Sequence, residues 1–141
     1  MIPTQLTTLL QPTILMHAYY KQNTPLFLSW LGLYSTSTIY HFTKRYYPVE
    51  TRYSSLICKL DFLFCGVVYI AAIYDIIYRK TIKRPYSDVC IVFHIFLPTM
   101  YIGSSKFNAL MWHPEFHVAD TWHAIFHILV YFINHFYLYN S

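Results

Sequence analysis

The sequence predicts an all-α fold, a multi-pass transmembrane helical bundle with about four spans and room for a fifth. Three observations carry this. Of 141 residues, 56% are hydrophobic, 21% aromatic and only 11% charged, against about 25% charged in an ordinary globular chain. The charges are also gathered between apolar runs: Lys21 and Lys44 bracket 22 residues without Asp, Glu, Lys or Arg, Asp88 and Lys106 bracket 17, and nothing after Asp120 is charged. A hydrocarbon core of about 30 Å takes about 20 such residues as a helix.

The spans are expected near 26–43, 56–78, 88–105 and 119–139, each bounded by charges or breakers. Lys44, Arg45, Pro48, Glu50 and Arg52 close the first; Arg79, Lys80, Lys83, Arg84 and Pro85 the second; Lys106, Asn108, His113, Pro114 and Glu115 the third. Residues 1–25 lack a basic start, so they do not read as a signal peptide. Pro3, Pro12, Gln5, Gln11 and the threonines make them a weak extra span or a surface-lying segment. Tyr46, Tyr47, Tyr53, Tyr78 and Tyr137 sit at span ends, as an interfacial aromatic belt would. Asp120 reads as the point where the last span leaves water.

The formal charge of +4 is spread through the connections and forms no basic face, which argues against nucleic acid. Membrane lipids are the expected surroundings, with an integral multi-pass location whose orientation the positive-inside rule leaves tied. Cys58, Cys65 and Cys90 show no CxxC spacing and fall in or beside apolar runs, where a free cysteine behaves as a small hydrophobe.

Ionisable and polar side chains inside spans are costly and therefore informative. Ser37 and His41 lie four apart at the end of the first span, Asp61 lies early in the second, and His123 and His127 lie four apart early in the fourth. Chain parity brings all of them to one leaflet. At about 1.5 Å per residue, Asp61 is roughly 8 Å below that surface, His123 roughly 6 Å and His127 roughly 12 Å. A four-residue spacing puts two imidazoles on one helical face, and His41 supplies a third nitrogen. Three nitrogens and a water make the ligand set of a catalytic zinc. Asp61 is then placed to hold the water or orient a histidine, and Ser37 to bond a ligand or a substrate carbonyl. Each residue alone has a plainer reading, as a bundle hydrogen bond, a helix-backbone bond or an interfacial group paired with Lys59 or Arg52. His113, Glu115 and His117 read as loop residues near the site mouth. His94 and His135 share the opposite leaflet and are a candidate pair for haem.

The motifs Ser37-Thr-Ile-Tyr-His41, Leu60-Asp61 and WHAIFHILV resemble, in order, the S-x-x-x-H, aspartate and H-x-x-x-H motifs of the alkaline ceramidase, progestin/adipoQ receptor and haemolysin III superfamily. The resemblance covers roughly residues 30–75 and 112–138. It implies zinc on His41, His123 and His127, with Ser37 and Asp61 completing the site. The implied activity is a membrane-embedded hydrolase acting on a lipid amide or ester, such as ceramide. Members usually have seven spans, three of them between the aspartate helix and the last histidine helix, where this chain has one. A homo-oligomer would be one way to supply the missing walls. A receptor-like or structural protein that keeps the metal site is the alternative from a different class.

Overall fold

The computed structural model describes residues 3–43, 46, 55–79 and 82–141, the side chain of residue 79 excepted. The expectations attached to Lys44, Arg45, Tyr47, Pro48, Glu50, Arg52, Tyr53, Lys80 and the Arg79 side chain lie outside the described residues. Of the described residues 86% are helical, and no strand occurs among them. The helices are α1 Pro3–Thr8, α2 Gln11–Tyr20, α3 Thr24–Thr43, α4 Leu56–Tyr74, α5 Tyr86–Ser105 and α6 Phe116–Asn140. A wide π turn, Asp75–Arg79, extends α4, and a single 3-10 turn, Leu110–Trp112, precedes α6.

Local chemistry sets these limits. Asn23 begins α3 by accepting from the Leu26 amide (3.2 Å), and Ser55 begins α4 by accepting from the Cys58 amide (3.3 Å), each filling an orphan donor of a first turn. Gln22, at φ 53°, reverses the chain between α2 and α3, a left-handed residue of the kind that closes helix C-termini. His113 Nδ1 accepts from the Glu115 amide (3.1 Å) at the entry to α6.

Residues 3–25 pack against the other helices. After a break at Leu9 and Leu10, α1 and α2 run parallel to α6 along its whole length, as four contacts in ascending order show. Thr4 meets Asp120, Thr7 meets His127, His17 meets His135, and Lys21 Nζ donates to the Ser141 carbonyl. The buried positions Thr4, Thr8, Gln11, Leu15 and Ala18 repeat every three or four residues straight through the break. One stripe therefore faces the bundle, polar at its start and apolar at its end.

α3 and α4 make the most extensive helix pair, brought close where Gly32 faces the Phe64 ring; small residues allow such approach between helices. The core gathers Leu26 and Trp30 of α3, Val68 and Ala72 of α4, Leu97 of α5 and Tyr137 of α6. Outward faces are as apolar as the core: Leu28 and Ile39 on α3, Leu63 and Ile70 on α4, Ile95 on α5 and Phe132 on α6 are all exposed. Leu56–Tyr78, Tyr86–Trp112 and Phe116–Asn140 are long and apolar enough to cross a membrane, and only 22%, 22% and 33% of their most apolar windows is buried. An aqueous surface rarely carries such a belt, whereas lipid contact uses it. α3 has the length, but Ser29, Ser35, Thr36, Ser37 and Thr38 dilute it, and it is not among those three.

Candidate metal centre

His41 lies near the end of α3, and His123 and His127 lie one turn apart near the start of α6. α3 and α6 run in opposite directions, so these two ends coincide. The ring centroids are 4.9 Å apart for His41 and His123, 4.8 Å for His41 and His127, and 4.8 Å for His123 and His127, all edge-to-face. One ring nitrogen from each histidine lies within 4.8 Å of the others. A tetrahedral zinc with Zn–N of about 2.0–2.1 Å spaces its nitrogens about 3.4 Å apart, inside the 4.8 Å limit that encloses these three. The donor set fits: three imidazoles from two helices, His41 fully buried behind the half-buried pair.

His123 and His127 open onto a cavity of about 500 Å³ between the helices. Its floor is α1, α2 and α3; its far wall is α4 and α5, which touch each other sparsely. Ser37 and Asp61, both buried, line this cavity with the two histidines. Neither belongs to the three-residue ligand group. Asp61 Oδ1 accepts from the Thr36 hydroxyl of α3 at 3.5 Å. Most of the remaining lining is apolar, including Leu33, Val68, Phe126 and Val130.

No family model, curated protein or solved structure matches the chain.

Two expectations are corrected by hydrogen bonds. Asp120 does not mark the water boundary: it is 3% exposed, and its carboxylate accepts from both the amide (3.2 Å) and the hydroxyl (2.6 Å) of Thr4. Tyr137 does not join an aromatic belt: it is fully buried, and its hydroxyl donates to Asp75 Oδ2. Asn23 Nδ2 donates to the same oxygen at 2.7 Å, so the cap of α3 and the end of α4 are tied through one carboxylate. Tyr46 and Tyr78 are exposed, as a belt requires.

The two histidines considered for haem have separate hydrogen-bond partners. His94 Nδ1 bonds the Cys90 carbonyl at 2.7 Å, and its ring meets Tyr69 edge-on. His135 instead has His17 as its partner, Nδ1 to Nδ1 at 3.0 Å, with the Thr13 hydroxyl 3.1 Å from its Nε2.

The sequence reading left out the N-terminal contribution to the site. Gln5 Nε2 donates to the His41 carbonyl at 3.2 Å, and the Thr7 hydroxyl lies 3.0 Å from His127 Nδ1. The signal that could have found it is the spacing of Thr4, Thr8 and Gln11 on one helical face, which asks for buried polar partners.

Proposed function

We propose that the chain is a multi-pass integral membrane protein whose three histidines hold zinc, and that it hydrolyses a lipid amide or ester. The observation that carries this reading is the opening of His123 and His127, with His41 behind them, onto an apolar cavity that also contains Ser37 and Asp61. A polar, metal-competent end on a greasy slot suits a substrate with a carbonyl head and a hydrocarbon tail. Zinc bound there would supply a Lewis acid and a water activated near neutral pH.

The chain's own groups divide the remaining work. The three imidazoles hold the ion; the Ser37 hydroxyl donates to the substrate carbonyl oxygen and fixes its direction. The Asp61 carboxylate takes a proton from the attacking water and returns it to the leaving amine or alkoxide. The apolar wall excludes bulk water and aligns the chain. These roles match those implied by the superfamily resemblance of the three motifs, with ceramide as the corresponding substrate.

Metal analysis of the purified protein followed by incubation with ceramides, acyl esters and phospholipids tests the reading. About one zinc per chain and release of fatty acid from one lipid class are expected. Zinc without turnover would make this a ligand-binding or structural site, and a well-folded preparation without metal would end the proposal.

A further inference from the structure

The hydroxyl of Thr7 lies 3.0 Å from His127 Nδ1, and also 3.2 Å from the Thr4 carbonyl and 3.3 Å from the Pro3 carbonyl. A hydroxyl has one proton to give and two lone pairs to offer. Donation to a carbonyl of its own helix, the usual habit of threonine in a helix, leaves the oxygen as an acceptor toward the imidazole. His127 then carries its proton on Nδ1, and Nε2 has the bare lone pair that a metal requires. The opposite assignment would put a proton on Nε2 and block ligation.

Thr7 is held in place by its neighbours. Thr4 is anchored on Asp120 by two bonds, and Gln5 reaches the His41 carbonyl. α1 thus touches both metal-bearing helices within four residues. We propose that Thr7 is a positioning residue for His127, accepting the Nδ1 proton and leaving Nε2 to face the ion. This rests on the three-histidine reading above for its metal, though not for its tautomer.

The full chain in detergent, with Co²⁺ as the spectroscopic probe and Zn²⁺ as competitor, tests it. Thr7→Val keeps the shape and removes the hydrogen bond; loss of such an outer partner weakens metal affinity by about 10–100-fold. Thr7→Ser should bind as the wild type does. The ¹⁵N spectrum of metal-free wild type should show His127 protonated on Nδ1. Equal Co²⁺ affinity in wild type and Thr7→Val, failure of Thr7→Ser to retain it, or an Nε2-protonated His127 would each overturn the proposal. A wild type that takes up no metal while His127 is Nδ1-protonated would remove the metal reading and leave the tautomer assignment standing.

Discussion

Thr4 and Asp120 are joined by two hydrogen bonds across 116 residues of sequence, one from the amide and one from the hydroxyl. Both residues are buried, so this carboxylate fastens the start of α1 onto α6 at the level of the histidines. Replacing Asp120 with Ala leaves two buried donors short of an acceptor, at a cost of about 1–3 kcal/mol. Thermal unfolding in detergent should show the loss, and limited proteolysis should cut earlier near α1. Asp120→Asn, which keeps one acceptor oxygen, should fall between.

Changing His123 or His127 to Ala should abolish metal binding while the helical circular dichroism remains. Both side chains border the cavity, so truncation enlarges an existing space and opens no new void in the core. His41→Ala removes a fully buried ring and should cost stability as well as metal, by about 2–4 kcal/mol if it behaves like other large-to-small core changes. Metal content and melting temperature of the three variants separate the two effects.

Chelation should lower the melting temperature of the wild type, and zinc should restore it. A ligand present at 100 times its dissociation constant adds about 2.7 kcal/mol to the folded state. The double variant lacking His123 and His127 should melt at one temperature with or without chelator. A chelator effect that survives in that variant would locate the metal elsewhere.

A methyl group at position 32 would run into the Phe64 ring. Gly32→Val should therefore separate α3 from α4 and destabilise by about 1–3 kcal/mol. Combining Gly32→Ala with Phe64→Ala should cost less than the sum of the two single changes, because each relieves the other. Additive costs would show that the two residues do not meet.

Tyr137→Phe removes one donor from the buried Asp75 while Asn23 keeps its bond. The expected loss is about 1 kcal/mol, read by unfolding. Metal affinity should not move, since Asp75 is not in the ligand group of His41, His123 and His127.

Much of the bundle was legible because charge and hydropathy change sharply at helix ends. The stretches 26–43 and 119–139 fall in the helices Thr24–Thr43 and Phe116–Asn140, of which only the second is among the three apolar enough to cross a membrane. The meeting of His41, His123 and His127 followed from parity and a rise per residue, since antiparallel helices of equal depth leave little choice. Ser37 and Asp61 share their cavity, but periodicity could not say whether they would be ligands or lining. Asp120 and Tyr137 were misread for a common reason: at the end of an apolar run, a polar group that faces water and one that faces a distant partner look the same. The N-terminal stretch hid its role similarly. Its threonines and glutamines lower hydropathy as a surface segment would, yet Thr4, Gln5 and Thr7 are spent on α3 and α6.

The alignment of α1 and α2 along α6 also imposes an order on biosynthesis. Contacts such as Thr7 with His127 and His17 with His135 span 120 and 118 residues, and loops that long close late. While α3 to α5 are being made, the N-terminal helices have no α6 to lie against, and His41 waits for two of its three-histidine group. A ribosome stalled before α6 would leave Thr4, Thr7 and His17 without these partners, offering membrane quality control an unmated polar stripe. The three-histidine group therefore closes only once α6 is in place.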